Sequence, residues 1–345
     1  MHKRTMRVWT IAILGLAAAS PARADLLNNW NVVTTGDLYA GYSTQGAVRV
    51  GGNLFVQNTF EAARAGSASA LNPSLLVGGY LRVGNANPET VKVMKGDGVV
   101  GGTIHGAPNN NGRIVSSQNG GTIRIDPSIA KVAAADAQEL RADSAAFLAM
   151  TGGAQSMSIP TRQVDTARFA VSSVDSAGNA VFNVDGAKLF ENGLIRGFTL
   201  DLNGFSFGSG QSIVFNVSGN VLNFRNGLNF DGAFRTSAAN ILWNFYESTQ
   251  INLGKNDFAG SLLAPGALLT SANRIDGSVF VGAFGTSYSN GMGADVRTMY
   301  VGYDPSKASG TMPSTSTPEP SAFAMAGIAA VLGLAFLGRR VRPKV

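Results

Sequence analysis

The feature of this sequence that most constrains its fold is a short repeat built on a Gly-Gly pair. Residues 50–56 read Val-Gly-Gly-Asn-Leu-Phe-Val, residues 77–83 read Val-Gly-Gly-Tyr-Leu-Arg-Val, and residues 100–106 give a weaker copy, Val-Gly-Gly-Thr-Ile-His-Gly. The offsets of 27 and 23 residues are in the range of one coil of a β-solenoid. Each copy predicts a short strand entered through a Gly-Gly turn, which accepts left-handed backbone geometry. Two unrelated hairpins are the alternative.

Asn-Gly and Asp-Gly pairs favour tight turns and divide the rest of the chain into short segments. They begin at Asp97, Asn111, Asn119, Asp185, Asn192, Asn203, Asn226, Asp231, Asp276 and Asn290. The apolar runs between them have the length of strands that are buried on at least one face. These runs are residues 213–217, 221–224, 241–246, 262–264 and 279–284. With 43 glycines and only 14% charged residues, the composition favours an all-β fold of many short strands.

One segment departs from this pattern and predicts a single α-helix over about residues 127–150. Asp126 can serve as the N-cap, Pro127 suits the first helical position, and the Gly-Gly pair at 152–153 ends the run. We expect its apolar face to cover one side of the solenoid; a dimer contact is the alternative. The residues on that face are Ile129, Val132, Ala133, Leu140, Phe147 and Leu148.

The first 24 residues have the three parts of a secretory signal peptide. A basic start is followed by an apolar run at residues 8–19, which is too short to span a bilayer of about 30 Å comfortably. Ala22 and Ala24 are the small residues that a signal peptidase reads, so we expect the mature chain to begin at Asp25. An uncleaved membrane anchor is the alternative.

The last part of the chain contains a second membrane signal. Residues 321–338 carry no charge and have about the minimum length of a transmembrane helix. The basic tail at 339–345 predicts that this flank lies in the cytoplasm and the main body outside. Residues 305–317 are rich in Pro, Ser and Thr, which indicates an extended linker.

Pro318, Glu319 and Pro320, the apolar segment after them, and the terminal Arg339 and Arg340 together resemble the PEP-CTERM sorting signal of Gram-negative bacteria. The resemblance implies transient anchoring in the inner membrane and cleavage near Pro-Glu-Pro by an exosortase-like enzyme. The protein would then pass to the cell surface or the extracellular matrix. A permanent C-terminal anchor is the alternative.

Two sets of strand-and-turn motifs lie in the body of the chain. The first is Gly-Asp-Leu at 36–38 with residues 46–53, and the second is formed by residues 214–219, 243–245, 258–265 and 275–277. Together they resemble the domain of choice-of-anchor A family proteins over about residues 26–283. The resemblance implies a right-handed β-helix at residues 25–304 and a role as a surface adhesin. No catalytic residue follows from it.

Charge and composition exclude several functions. The formal net charge is +6, but eight of the 27 Lys and Arg lie in the two terminal segments, as does one of the 21 Asp and Glu, so the body is close to neutral. We therefore expect no binding of nucleic acid. Cysteine is absent, and His105 is the sole histidine once the signal peptide is removed, so we expect no Cys-ligated or multi-His metal site and no cofactor.

Two patterns could carry catalysis. Residues 204–208 fit Gly-x-Ser-x-Gly, but no helical pattern follows and His105 is the one available base, so we expect Ser206 to point outward from a strand. A polysaccharide hydrolase would need paired carboxylates on neighbouring coils. The candidates are Asp201, Asp231, Glu247 and Asp276, of which Asp231 and Asp276 precede glycine and read as turn residues. We expect no enzyme activity; a β-helical hydrolase or lyase is the alternative.

Aromatic side chains could stack on sugars. Trp243 and Tyr246 lie in an apolar run and are expected in the core, whereas Tyr288 and Tyr300 lie near polar turns and are expected at the surface. The sequence thus favours a secreted adhesive or structural protein that contacts exopolysaccharide or cell-surface glycans along a near-neutral face. Ice or crystal binding is less favoured because the threonines are scattered and form no Thr-x-Thr row.

Overall fold

The computed structural model describes residues 26–305, except residues 58, 66–71, 85–90, 107–114, 119, 272, 288, 290 and 293–294. The predicted signal peptide, nearly all of the linker and the predicted sorting signal lie outside the described residues. Within them, the helices are α1 (Leu26–Asn29), α2 (Val132–Leu148) and α3 (Gly232–Thr236), with 3₁₀ turns at Pro127–Lys131 and Ala238–Asn240 and a π-helical turn at Ala187–Glu191. No helix in this described part is both long and apolar enough to cross a membrane.

The strands of the described residues are β1 (Val32–Thr34), β2 (Leu38–Ala40), β3 (Val48–Val50), β4 (Leu54–Val56), β5 (Phe60–Ala62), β6 (Leu75–Val77), β7 (Leu81–Val83), β8 (Val91–Val93), β9 (Gly98–Val100), β10 (Ile104–His105), β11 (Val115–Ser117), β12 (Ile123–Ile125), β13 (Ser156–Ser158), β14 (Asp165–Ala170), β15 (Ala180–Asp185), β16 (Ile195–Asp201), β17 (Ile213–Ser218), β18 (Val221–Asn223), β19 (Asn229–Phe230), β20 (Ile241–Asn244), β21 (Gln250–Asn252), β22 (Phe258–Ala259), β23 (Ser261–Thr270), β24 (Ile275–Asp276), β25 (Val279–Phe284) and β26 (Val296–Arg297).

These strands stack into three ladders of mainly parallel pairs. Ladder 1 runs β12-β9-β6-β3-β1-β25-β23-β20-β17-β15. Ladder 2 runs β10-β7-β4-β2, then the ends of β25 and β23, then β21-β18. Ladder 3 consists of β11-β8-β5, β26-β24-β22 and β19-β16-β14, closed at one end by the antiparallel β13. The fold is therefore mostly β, with a curled parallel sheet and few helices.

The Gly-Gly repeats occupy equivalent positions on successive coils. Val50, Val77 and Val100 are in register in ladder 1, and Leu54, Leu81 and Ile104 are in register in ladder 2. Because the copies pair with one another in parallel, they form successive strands of one stacked sheet, and two separate hairpins are excluded. The register also identifies residues 34–40 as a further copy, since Leu38 pairs with Leu54.

The two halves of the stack come from different parts of the chain and meet where β1 pairs with β25. Val32 lies in register with Val279 on one side and with Val48 on the other. The buried Asn31 side chain reinforces this junction: it donates to Ser278 Oγ and to the carbonyl of Thr298, and it accepts from the N–H of Gly46. The N-terminal half therefore grows away from the junction, whereas the C-terminal half returns to it.

This topology requires the chain to cross from β12 at one end of the stack to β15 at the other. Nine strand spacings separate them in ladder 1, which is about 43 Å. The Pro127–Lys131 turn and α2 together supply about 35 Å of helical length. Contacts of the helical segment move progressively along the stack, from Arg49 in β3 to Asn244 in β20 and Asn216 in β17.

Helix α2 covers the outward face of ladder 1, as predicted. Leu140 and Phe147 pack with buried strand residues in a second hydrophobic cluster outside the main core. Each such side chain contributes about 1.5–3 kcal/mol when fully buried. The cluster includes Val33, Leu76, Val181, Val214, Leu242, Leu263 and Phe280. One residue was wrongly predicted to lie on the buried face of the helix. Leu148 is exposed, because it lies at the last position of α2, on the side away from the sheet.

A buried ion pair fixes the middle of α2. The Arg49 guanidinium bonds both carboxylate oxygens of Asp136, at 2.5 and 2.7 Å, and lies over the Trp30 ring at 5.3 Å. Asp136 is almost fully buried. The sequence pattern predicts an apolar face for this helix, and the structure adds a charged contact at its centre.

The two ends of the helical segment are stabilised in different ways. Asp126 accepts from the N–H of Ser128 and caps the 3₁₀ turn at Pro127–Lys131, so the helical segment begins where predicted, but the α-helix itself begins only at Val132. The predicted end at residue 150 was two residues too late. The last-turn carbonyls of Ser144 and Phe147 accept from Asn244 and Asn216, which form an amide ladder with Asn183 on strands β20, β17 and β15. Partners supplied by the sheet therefore end the helix, before the Gly-Gly pair.

The main core lies between the three ladders and changes character along the stack. In the C-terminal half, Phe182, Phe215 and Trp243 are in register and their rings stack at centroid distances of 4.8 and 4.0 Å. In the N-terminal half the equivalent positions are aliphatic, for example Val48 and Leu75. The Trp243 indole N–H is satisfied by the carbonyl of Ala259 at 3.0 Å.

The predicted strands at 213–217, 221–224, 241–246, 262–264 and 279–284 are all present, with ends shifted by a few residues. Asn203 and Gly204 both have positive φ, as expected for a tight turn. Asp231-Gly232 was wrongly predicted as a turn: Asp231 accepts from the N–H of Phe234 and caps α3 instead. Asn111, Asn119 and Asn290 lie outside the described residues.

Asp136→Ala is expected to lower the free energy of unfolding by about 3–5 kcal/mol, because it leaves the largely buried Arg49 charge without its partner. The double variant Arg49→Met, Asp136→Leu should recover most of that loss. Urea denaturation followed by circular dichroism measures both. Gln138→Ala on the exposed side of α2 is the control, and an equal loss in that variant would contradict the assignment.

Gly78→Ala is expected to destabilise the protein by about 1–3 kcal/mol, since a Cβ at that corner would lie 2.5 Å from the carbonyl oxygen of Gly51 on the next coil. Backbone on a neighbouring coil cannot move aside cheaply. Gly193→Ala is the matched control, because a Cβ there meets nothing within 4 Å. Denaturation midpoints that shift equally for both variants would refute the close-packed corner.

Candidate functional site

The outward side chains of the three ladders have different uses, and this difference locates the candidate site. On ladder 1, outward residues such as Val214, Leu242 and Leu263 are fully buried beneath α2 and its neighbours. Tyr300 and Tyr303 extend this cover at the C-terminal end of the helix. Ladder 1 is therefore a second core and offers little surface to a ligand.

Ladder 3 is lined by ion pairs. Arg235 and Arg274 each contact both Asp257 and Asp276, at distances from 2.9 to 3.7 Å. Farther along, Lys92 and Arg64 pair with Glu61, and Arg297 pairs with Asp295. Partly exposed pairs of this kind add little stability each. They do leave this face with its charges largely matched internally.

Ladder 2 carries an aromatic strip in its N-terminal half, formed by Tyr39, Phe55, Tyr80 and His105. The rings of Tyr39 and Phe55 stack at 4.4 Å with nearly parallel planes. Tyr80 meets Phe55 edge-on at 5.6 Å and His105 at 5.8 Å. Arg82 stands in register between Phe55 and His105 and is exposed. The strip thus presents rings from four successive coils beside one cation.

Two features set the electrostatics of the strip. Burial and the nearby Asp37 carboxylate raise the pKa of the Tyr39 hydroxyl, and Arg82 partly offsets them. Asp37 is itself occupied at Oδ1 by the backbone and side-chain N–H groups of Asn53, at 2.7 and 3.0 Å. The acid therefore lies at the Tyr39 end and the cation at the His105 end.

The C-terminal half of ladder 2 presents uncharged polar groups. Gln250, Asn252 and Thr270 face outward and, with Lys255 and Ser271, line a shallow pocket. Asn252 accepts from the N–H of Gly254, and Thr270 contacts its side-chain oxygen. Ladder 2 thus joins an aromatic half to an amide-rich half, a combination suited to carbohydrate hydroxyls and ring faces.

Each of the four candidate carboxylates is engaged by hydrogen bonds or ion pairs within the protein. Asp231 accepts from the N–H groups of Phe234 and Leu200, and Asp276 is held by Arg235 and Arg274. The other two also bond main-chain N–H groups: Asp201 that of Asn203, and Glu247 that of Gly219. None of the four lines the pocket beside Ser43 and Arg297 on ladder 3, the pocket beside Tyr80 and His105, or the pocket beside Gln250 and Thr270.

Ser206 and His105 are placed far apart in the fold. Ser206 is exposed in the segment after β16, in the C-terminal half, and the next regular element is the strand β17. It was expected to point outward from a strand; it does point outward, but from a turn-rich connection. His105 lies in β10 at the opposite end of the stack. The described residues contain no group of three His, Cys, Asp or Glu side chains that could hold a metal ion.

The aromatic predictions had mixed outcomes. Trp243 is fully buried, as expected, and Tyr246 is half-buried. Tyr300 was expected at the surface and this was wrong: it is 0% exposed, and burial raises the pKa of its hydroxyl. That hydroxyl lies 2.7 Å from Ser212 Oγ and donates to the carbonyl of Tyr303. Tyr288 lies outside the described residues.

The aromatic strip was missed by the sequence analysis, although the repeats contain its signal. In the aligned copies the fourth and sixth positions vary: Asn and Phe at 53 and 55, Tyr and Arg at 80 and 82, Thr and His at 103 and 105. Apolar residues alternate with them and face the core. The variable positions are therefore the outward ones, and an alignment of the copies by register identifies the strip.

The predicted terminal site residues are not placed by the structure. Ala22 and Ala24 of the signal peptide lie outside the described residues. The sorting-signal residues Pro318, Glu319, Pro320, Arg339 and Arg340 do as well. They stay predictions.

Comparison with known proteins gives one family. A family model described as "Putative Ice-binding-like adhesive domain" matches residues 23–293. The structure is also similar to the crystal structure of an ice-binding protein from the Antarctic ascomycete Antarctomyces psychrotrophicus, at 12% identity over 81% of this chain and 97% of that chain, with a TM-score of 0.21. That score is too low to support an argument. No curated protein matches the chain. Because the family model covers well over half of its length, this protein belongs to the family of ice-binding-like adhesive domains.

Proposed function

We propose that the protein is an exported adhesive or structural protein of the cell surface or extracellular matrix, and that it contacts glycans through ladder 2. Membership of an adhesive-domain family supports a surface or extracellular role. We propose no enzyme activity and no cofactor, since the candidate carboxylates are engaged as caps or in ion pairs.

The observation that carries this proposal is the distribution of outward side chains over the three ladders. Ladder 1 is covered by α2 and ladder 3 is occupied by ion pairs between its own residues. Ladder 2 presents partly exposed rings, with the exception of the buried Phe55, together with an exposed arginine and amides along one line of coils. Contacts repeated along a rigid stack suit a long polymer, because each weak contact adds to the next at high effective concentration.

The proposal also includes a more detailed assignment of the fold and of the two terminal segments. We infer a right-handed β-helix of the choice-of-anchor A type, delivered by the signal peptide at residues 1–24. We further infer a PEP-CTERM signal at residues 318–345, recognised by an exosortase-like enzyme. The motifs quoted from the sequence support these inferences.

The adhesive role predicts a loss of glycan contact when the strip is truncated. Tyr80→Ala should reduce retention of the purified protein on insoluble exopolysaccharide from the producing cells severalfold, since an aromatic contact is worth about 0.5–1.5 kcal/mol. Tyr42→Ala removes a tyrosine that is 51% exposed and lies outside the strip. It is the matched control in a co-sedimentation assay. Equal retention of both variants and the wild type would contradict a role for ladder 2.

The sorting inference predicts the mass and location of the native protein. The form recovered from the producing cells should begin near Asp25 and end near Pro-Glu-Pro, in the surface or matrix fraction. Intact-mass spectrometry after cell fractionation measures both ends. A membrane-bound form that retains residues 339–345 would identify the ending as a permanent anchor.

Ice binding is the second candidate, and the family description favours it. On the described part of ladder 2 the outward residues do not form a regular row of threonines. Thr270 pairs with Asn252, and Leu268, the outward residue before it on the same strand, pairs with Gln250. Thermal hysteresis of the purified protein decides between the two roles. Hysteresis that is lost on substitution of ladder 2 residues would support ice binding, and its absence would exclude it.

A further inference from the structure

We propose that the His105 end of the aromatic strip is a subsite for an anionic sugar unit, whose carboxylate or sulfate group is held by Arg82 and whose ring packs on Tyr80. This inference rests on the proposed function and names the class of glycan. The subsite is formed by Tyr80, Arg82, Val83, His105 and Gly106, which line one surface pocket.

Arg82 is placed as a ligand-binding cation. It is exposed on β7, in register with Phe55 on one neighbouring strand and His105 on the other. Among the described residues no carboxylate forms an ion pair with it, whereas Arg235, Arg274 and Arg297 on ladder 3 are all paired. A guanidinium presents a planar fork of donors that matches a carboxylate or sulfate in two parallel hydrogen bonds.

Tyr80 and His105 supply the apolar wall and a further polar group. Tyr80 is half-exposed and its ring is perpendicular to the His105 ring, at 81°. Thr103 Oγ1 is hydrogen-bonded to His105 Nε2, which orients the imidazole. At the edge of the pocket, Gly106 lies so close to the next coil that a Cβ there would be 2.9 Å from the carbonyl oxygen of Val83. A flat ring beside a cation is the arrangement that binds one face of a charged pyranose.

The distribution of charge along the strip decides where the anion lies. Asp37 is at the Tyr39 end, and its field would repel a carboxylate placed there. At the other end, Arg82 and the imidazole face the pocket. An acidic unit therefore docks at the Arg82 end, and neutral units of the same polymer lie toward Tyr39.

The direction of the polymer follows from the topology. The strip crosses β2, β4, β7 and β10, so it runs along the stack axis and spans about 14 Å over three strand spacings. This length suits several consecutive sugar units. Adjacent amides on the C-terminal half of ladder 2 continue the same line.

The test uses the purified protein and three polymers: polygalacturonate, its fully methyl-esterified form and a sulfated galactan. Binding is measured by isothermal titration at low and high salt. We expect the wild type to bind polygalacturonate or the sulfated polymer, with an affinity that falls as salt rises. Arg82→Gln should weaken that binding by about tenfold or more, because the variant loses charge-assisted hydrogen bonds to the anion. Arg82→Lys should be intermediate.

Arg196→Gln is the matched control, because Arg196 is also exposed but lies on β16 in ladder 3. Circular dichroism confirms that each variant is folded. The carboxylate and sulfate polymers separate the two sources of anion. Equal binding of the methyl ester, or unchanged binding by Arg82→Gln, overturns the anionic subsite.

The outcomes also separate this inference from the proposed function. Binding to neutral polymer that is lost in Tyr80→Ala and kept in Arg82→Gln would leave the adhesive role standing and remove the anionic subsite. If no polysaccharide binds and Tyr80→Ala keeps full retention on exopolysaccharide, both fail.

Discussion

The pairing of β1 with β25 is the contact on which the rest of the structure depends. It joins Val32 to Val279, two residues nearly the whole domain apart in the chain, and converts two separate stacks into one. The buried Asn31 side chain reinforces this pairing by hydrogen-bonding groups from both halves. Once that junction exists, the two outer ends of the stack must be connected, and a long helix along ladder 1 is the connection.

Covering ladder 1 has consequences for the other two ladders. The helix buries the outward residues of ladder 1 and so makes one sheet face into a second core. What remains at the surface is ladder 3, whose charges are largely matched among themselves, and ladder 2, whose rings and amides are not covered by the helix. The topology therefore determines how the outward side chains of each ladder are used. That difference in use identifies ladder 2 as the candidate binding surface.

Local features of this fold could be predicted from the sequence, and non-local ones could not. The Gly-Gly repeats predict the corner between ladders 1 and 2, and Asp126 with Pro127 predicts the start of the helix. The end of the helix was missed because Asn216 and Asn244 cap it from strands far along the chain. The repeats also hid the candidate site: their shared residues face the core, and the differing residues, Tyr80 and Arg82 among them, face out.

Tyr300 is a second residue whose position depends on contacts that the local sequence does not reveal. It lies near polar turns, which indicated exposure, but its hydroxyl bonds Ser212 Oγ and the Tyr303 carbonyl in the interior. Polarity of the flanking residues is a poor guide when a tyrosine hydroxyl finds partners that are distant in sequence.

The two ends of the described chain are held by specific contacts, and these contacts determine how the domain resists a pulling force. Leu26 bonds Glu139 on α2, and Asn28 bonds Asp304, so both ends of the described range lie on the flank of ladder 1. A force applied to either end of the described range would therefore first load the contact between Asn28 and Asp304 and the docking of Leu26 on α2, ahead of the nearest strands, β1 and β26.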